Sequence, residues 1–568
     1  MNRKSVRNAA ALLMAFAFVA AALAGCGTTQ APSAAPPSSA TPATTAPDAQ
    51  GSTAVPALEP GWKGDTSPIT FDWYCNYSWQ IAGDAWQKTK VAQYVTSKTG
   101  VSLNIIAPAG NETEKLNTMI ASNSLPDFVT SDSTDPLMKK AVDGGQILPL
   151  NDLADQYDPF FYTVIDKDVF AWYKQDDGKT YGYVNWAYGP ETLTRYPNQI
   201  EGTTAFLVRK DMYEAIGSPD MRTPEGFLNA LQAAKEKYPE VNGQPLIPLG
   251  FSEFGDSGCW SLWQGTFFTS LLSEYLAQPK AVDGKITDRL TDPEFVMWLK
   301  TIRKANEMGL VAKEVFIAKD AQIRENVAQG RYFAMIYRRS DMLAENTTLF
   351  KGDLKTSYIA IDPPANSKKD PCKIAVGGFS GWCITMISKN CKNPERAIEY
   401  MTYRLSDEGQ RDTYLGKQGE TWDVIDGKEQ FLPDVYSLMV SDKTTFDNTI
   451  GGQYGAYPLL NFILSKKWEA PQVEPNKQPF DWTLDKVVCE PEFNDLNPVP
   501  SSDEGVIDTK ISNKWGEALP KLLLAKTDAE FDTLFSQFLA DRSELGFEKL
   551  MAYWQAKYES NKAKLGMK

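Results

Sequence analysis

Four short stretches of this chain bring aromatic rings together with side chains that make hydrogen bonds in pairs. They are Trp73-Tyr74-Cys75-Asn76-Tyr77-Ser78-Trp79, Gly258-Cys259-Trp260 with Trp263 close behind, Tyr337-Arg338-Arg339, and Gly377-Gly378-Phe379-Ser380-Gly381-Trp382; Ser131-Asp132 adds a carboxylate. A flat ring offers a face on which C–H groups pack, and the planar ends of Asp, Asn and Arg donate or accept two hydrogen bonds at once. A polyhydroxylated ring needs both. The candidate ligand-binding set is therefore Trp73, Asn76, Trp79, Asp132, Trp260, Trp263, Tyr337, Arg338, Phe379 and Trp382. Any one of these tryptophans taken alone reads as core. Several together in glycine-rich irregular loops, which are poor places to bury a core, read as a binding surface.

What the chain lacks narrows the chemistry. Its 568 residues include no histidine, which removes every His-dependent triad and every His metal site. Its 7 cysteines are scattered without C-x-x-C spacing, so neither a zinc nor a redox site is expected, and no cofactor or metal is assigned. Buried free thiols are the default, with Cys372 and Cys383 near enough in sequence for a local disulfide in an oxidising environment. The formal charge of -14 opposes a phosphate backbone, so no nucleic-acid partner is expected. A glycoside hydrolase needs two carboxylates about 5 to 9 Å apart. No acid pair here sits in a recognisable catalytic context, and the pattern lacks the eightfold period of a barrel. Binding without catalysis is the expectation.

The elements that must position these residues alternate. Ile69, Phe71 and Trp73 read as a half-buried strand; Val91, Tyr94 and Val95 follow at helical spacing, Gly100 ends that helix, and Val101, Leu103 and Ile105 alternate again. Two strands joined by a crossover helix predict parallel pairing with right-handed connection. The pattern recurs: a helix bearing Leu116, Met119 and Ile120 precedes a short strand from Phe128 to Asp132, and a buried strand before Lys210 runs into a helix stopped by Gly217. Thr223 and Asn393 each precede a proline at a helix start, the N-cap signature. Alternation over this length predicts an α/β protein, too large for one compact core. Ligands of open α/β sheets bind beyond the carboxyl ends of strands, which is where the candidate residues fall.

The amino terminus has a separate logic. Arg3, Lys4 and Arg7 precede an apolar run of 16 residues, Ala9 to Ala24, shorter than the about 20 that span a bilayer, so residues 1–25 read as a signal peptide. Leu23-Ala24-Gly25-Cys26 resembles the lipobox of bacterial lipoproteins, which makes Cys26 the lipidation site, its two acyl chains a stable anchor. The Ala-, Pro-, Ser- and Thr-rich stretch after it has no Lys or Arg up to Pro60 and cannot bury enough surface to offset its ordering entropy. Residues 26–67 read as a lipidated tether reaching between roughly 35 and 100 Å, holding the folded part at the outer face of the cytoplasmic membrane.

The stretches EKLNTMIASNSLPDFV, FLVRKDMYEAIGSPDMRTPEGFLNALQAAKEKYP, KNPERAIEYMTYRLSDEGQ and GKQGETWDVIDG resemble, in order, landmarks of the oligosaccharide-type solute-binding lipoproteins of ATP-binding-cassette importers. The resemblance covers about residues 68 to 425. It implies a two-lobed, periplasmic-binding-protein-like fold with a ligand cleft between discontinuous lobes: 68–186 and 361–415 in the first lobe, 187–360 in the second, and 416–568 completing the second lobe with a C-terminal helical region. Crossovers are implied near Tyr183 to Pro190, near Ile359 to Pro364 and around residues 415 to 422. It also implies a monomer that delivers a sugar or oligosaccharide to a membrane permease, with a peptide or other polar solute as the alternative on the same scaffold. Some relatives carry an acid-rich calcium loop where this chain reads Tyr238-Pro239-Glu240-Val241-Asn242-Gly243, which offers too few oxygen ligands for that ion.

Overall fold

The computed structural model describes residues 58–78, 80, 83, 85–254, 263, 268–350, 353–451, 457–469 and 471–567. Cys26, Trp79 and Trp260, the segment read as a signal peptide and nearly all of the segment read as a tether lie outside the described residues. In chain order the strands of the two large sheets are Ile69–Cys75 (β1), Val101–Ile106 (β2), Phe128–Asp132 (β3), Gly182–Val184 (β4), Ala205–Arg209 (β5), Ile247–Phe251 (β6), Tyr332–Tyr337 (β7), Tyr358–Ile361 (β8) and Cys383–Ile387 (β9). The first sheet has the order β2-β1-β3-β9-β4 and the second β8-β5-β7-β6.

β1 pairs in parallel with β2 and β3, as the strand–helix–strand pattern predicts, whereas β9 runs antiparallel to β3 and β4. β5, β6, β7 and β9 are buried along their whole length, which is why their sequences are near-continuous apolar runs, whereas β1 and β2 alternate between buried and more exposed residues. The Lys90–Thr99 helix that links β1 to β2 ends at Gly100, whose φ of 71° puts it in the left-handed region. A Cβ there would run into the Thr66 backbone.

Each sheet carries its own core. The first gathers Phe71, Trp73, Phe128, Tyr400 and Tyr403, and the second Phe206, Phe227, Tyr275, Trp298 and Tyr332. The division corrects the sequence boundaries in two places. Trp422, Phe431, Phe446 and Trp468 pack into the first core, so the segment after residue 416 stays with the first lobe and changes sides only between Trp468 and Phe493, which lies in the second. The C-terminal helices Asp503–Leu523, Asp528–Glu544 and Phe547–Lys564 then bury Trp515, Phe538 and Trp554 in the second core. At the other end, Trp62 lies within the stretch read as tether, yet it is 5% exposed and packs edge-on against Phe160 and Tyr403.

Three crossovers therefore join the lobes: β4 to β5, β8 to β9, and Trp468 to Pro491. They are stitched to one another. Ile374–Ala375 pairs in parallel with Val487–Val488, and Tyr188 and Gly378 exchange backbone hydrogen bonds of 3.1 and 3.2 Å. Tyr188 also stacks on Phe462, with Trp186 on the same ring. Cys372 lies in the second core and Cys383 opens β9 of the first sheet, and no bridge joins them; Cys75, Cys372, Cys383, Cys391 and Cys489 are free thiols. The Tyr238–Gly243 segment leads into a β-hairpin, Glu240–Val241 against Gln244–Pro245, turned by Asn242 and Gly243 at positive φ.

Candidate ligand-binding cleft

Strand direction brings the candidate residues to two facing edges. In the first sheet β1, β3 and β4 end where antiparallel β9 begins, so one edge carries Asn76 and Tyr77, Ser131 and Asp132, Trp186, and Trp382. In the second sheet β6, β7 and β8 end where β5 begins, and that edge carries Ser252, Glu253, Arg338 and Asp362. The first two crossovers run from one edge to the other. The space beyond both edges is therefore the cleft between the lobes.

On the first edge Trp382 is 36% exposed and leans on Tyr77, ring centroids 5.1 Å apart at 59°. Its backbone is fixed from β3's side: Ser133 N donates to the Trp382 carbonyl at 3.0 Å, and the Ser133 hydroxyl donates to the Gly381 carbonyl. Burial, reinforced by neighbouring Cys383 and Asp132, raises the Tyr77 phenol well above its ordinary range, so Tyr77 stays neutral. Asp132 is exposed; its Oδ1 accepts from Thr134 N at 2.8 Å and Thr134 Oγ1 at 2.6 Å. Those bonds fix the orientation of the carboxylate at the mouth of the cleft.

Asn76 is differently employed. It is 6% exposed, accepts from Tyr74 OH at 2.7 Å and donates to Ser131 Oγ at 3.1 Å, and Ser131 in turn donates to Asp135 at 2.8 Å. This chain of bonds ties the ends of β1 and β3 together, and Asn76 positions the edge instead of offering itself to a ligand.

Three predicted site aromatics belong to the cores. Trp73, 2% exposed, donates its Nε1 to Thr130 Oγ1 at 2.8 Å under the Arg404 guanidinium. Phe379, 3% exposed, packs on Trp172 at 5.8 Å. Trp263, 4% exposed, lies parallel to Phe493 and edge-on to Trp554 of the last helix. The indole of Trp73 follows the β-alternation inward, and the glycines around Phe379 serve backbone packing more than exposure.

On the second edge Tyr337 is 2% exposed, its hydroxyl 3.1 Å from Asp320 Oδ1, so it too belongs to the core, with only its Oη end in polar surroundings. Burial and the acids Asp320 and Asp341 raise that phenol. Arg338 is one-third exposed, 3.6 Å from Asp341, and its Nε has no hydrogen-bond partner among the described residues. Arg339 is structural, donating Nε to the Gly202 carbonyl at 2.7 Å. Sequence reasoning missed Glu253, which follows β6, pairs with Lys319 at 2.9 Å and accepts from Asp320 N at 3.0 Å; Lys319 holds its carboxyl below the usual range. It also missed Ser252, whose buried hydroxyl has no partner among the described residues, and Trp186, at φ 56° two residues after β4. The aromatic run Asn185-Trp186-Ala187-Tyr188 at a strand end is the signal that could have found the last.

The arrangement offers stacking faces on one lobe and a guanidinium with carboxylates across the two, with no nucleophile–base pair among the described cleft residues. Comparisons with known proteins agree on the fold. Residues 90–421 match the family model described as bacterial extracellular solute-binding protein. The chain is 25% identical over 231 residues to the fructooligosaccharide ABC transporter substrate-binding protein FusA of Streptococcus pneumoniae, covering 40% of this chain and 42% of that one. It is 20% identical over 342 residues to lipoprotein LipO of Bacillus subtilis, covering 58% and 63%. These alignments thus span less than two thirds of either relative. Among solved structures, S. pneumoniae FusA in complex with kestose superposes with a TM-score of 0.63 at 17% identity, over 87% of this chain and 100% of that one. An HMO-binding, ABC-transporter-associated solute-binding protein from Bifidobacterium longum infantis superposes with a TM-score of 0.62 at 16% identity, over 89% and 100%. With more than half its length matched by the family model, this chain belongs to the bacterial extracellular solute-binding proteins.

Proposed function

We propose that this protein is a receptor that captures an oligosaccharide between its lobes outside the cell and delivers it to the permease of an ATP-binding-cassette importer, held at the membrane by lipid on Cys26. The observation that carries this reading is the Trp382–Tyr77 pair, its indole exposed and its phenol half-buried, beside the oriented carboxylate of Asp132, with Arg338 and Glu253 at the strand ends of the other lobe. An indole face against C–H groups, with planar hydrogen-bonding ends at its rim, suits a chain of sugar rings better than a peptide, whose extended backbone asks for a sheet edge. The names of the similar proteins support the sugar, and LipO supports the lipid anchor. The receptor works as a monomer and makes no covalent change in its cargo. Titration calorimetry with kestose, a larger branched oligosaccharide and a mixed tripeptide library, followed by chromatography of each mixture, tests this. Binding of an oligosaccharide with no product is expected; a cleaved sugar would make the protein an enzyme, and binding of peptides alone would assign it the other cargo.

A further inference from the structure

A carboxylate of the second lobe reaches the loop that carries Trp382. Asp495 follows the turn Pro491–Phe493, and its neighbours Phe493 and Leu496 are buried in the second core. Asn561 of the last helix fastens that turn, donating Nδ2 to the carbonyls of Glu492 and Asn494 at 3.1 and 2.7 Å. The turn therefore moves with the second lobe. Asp495 itself sits at φ 53°, a left-handed conformation that a residue other than glycine seldom adopts. From there its Oδ1 accepts from Ser380 Oγ at 2.7 Å and its Oδ2 from Trp172 Nε1 at 3.2 Å.

Both donors belong to the first lobe's side of the hinge. Trp172 is 7% exposed in the first core and braces Phe379. Ser380 stands two residues before Trp382, and Gly381 between them donates its N–H to Tyr173 OH at 3.2 Å. Lys564, at the end of the last helix, adds a second hold on Trp172, its Nζ 5.4 Å from the ring centroid and 3.4 Å from the carbonyl. Ser380 and Gly381 stand at the end of the second crossover, just before β9, and Trp172 lies in the first core, so these contacts are non-covalent additions to the three crossovers. They join the second lobe to the loop that ends in the exposed indole.

We propose that Asp495 is a positioning residue for Trp382, coupling the placement of the second lobe to the angle at which that indole is presented to the cleft. The proposal rests on the reading of Trp382 and Tyr77 as the ligand platform. Charge-assisted hydrogen bonds are short and directional, so a rotation of the second lobe either carries Ser380 with it or breaks its bond to Asp495. In both cases the two-residue connection to Trp382 transmits the change.

The test uses the ligand-free protein labelled with 5-fluorotryptophan, its Trp382 line in the fluorine NMR spectrum assigned through Trp382→Phe. Asp495→Ala and Ser380→Ala should each shift and broaden the Trp382 line while leaving those of Trp298 and Trp515, deep in the second core, in place. Asp495→Asn, which keeps one acceptor oxygen, should recover most of the original line. An unmoved Trp382 line in both alanine variants would overturn the proposal; should Asp495→Ala not fold, the line position in Ser380→Ala decides by itself. None of this needs a ligand, so the outcome is separate from that of the kestose titration, which judges the functional reading. For a protein that binds kestose, Asp495→Ala should weaken binding by about tenfold, and Asp495→Asn by less.

Discussion

Trp382 rests on Tyr77 across the end of β3: Tyr77 lies just beyond β1 and Trp382 just before β9, and the two strands flank β3 on either side. Two distant parts of the chain thus build one aromatic surface, and it exists only once the sheet has formed. Truncating Trp382 to Ala should weaken oligosaccharide binding by about thirtyfold, the cost of a central aromatic anchor. Because the ring is 36% exposed, the melting temperature should barely move. Calorimetry and thermal denaturation on the same variant check both halves.

Trp73 and Trp263 should behave in the opposite way. Each is almost wholly buried, and removing a buried tryptophan costs about 3 to 5 kcal/mol through lost contacts and a residual cavity. Chemical denaturation of Trp73→Ala and Trp263→Ala should show losses of this order. A small loss accompanied by failed binding would return that ring to the cleft.

The hinge depends on Gly377 and Gly378. Their φ values are 62° and 110°, and an added Cβ would run into the Tyr188 ring and the Asn494 amide respectively. Gly378→Ala should therefore destabilise the protein by more than about 1 kcal/mol and perturb the crossovers specifically. Hydrogen exchange should show faster exchange at Tyr188 and Gly378, whose amides bond to one another's carbonyls, with the strands of both cores unaffected.

Glu274 is buried beside the hinge, and burial raises its carboxyl from 4.5 to about 8, opposed by Lys280, Arg289 and a hydrogen bond from the Ala375 backbone. The native state then holds a proton that the unfolded chain releases near pH 4.5. Its stabilising contribution is complete below that pH, falls as pH rises towards about 8, and is flat above. Glu274→Gln, neutral throughout, should flatten the decline of melting temperature over this window. An unchanged slope would mean that Glu274 is ionised in the native protein.

Much of the fold is legible in the sequence because its signals are local. The N-caps Thr223 and Asn393 accept from Gly226 N and Arg396 N, as their positions before proline predict, and the alternation of Ile69, Phe71 and Trp73 marks β1. That a strand end carries Asp132 follows from the same pattern, whereas Trp382 precedes β9 and reaches that edge only because β9 runs antiparallel to β3. What stays hidden is set by distant partners. Trp73 is core because Thr130 and Arg404 close over it, and nothing within Trp73–Trp79 encodes either contact. The third crossover falls later in the chain than the sequence suggests, because apolar residues such as Trp422 and Phe446 fit either core equally well by pattern; only their packing against the first sheet decides. Glu253 escapes notice since one acid after a strand carries no signature.

The most direct measurement is a crystal structure of the protein with the tightest-binding member of an oligosaccharide panel. A sugar ring packed on Trp382 and Tyr77 is expected, with a hydroxyl bonded to Asp132 and a contact from Arg338 or Glu253 on the other lobe. A ligand held by one lobe alone, or seated away from both strand edges, would contradict the assignment of the cleft.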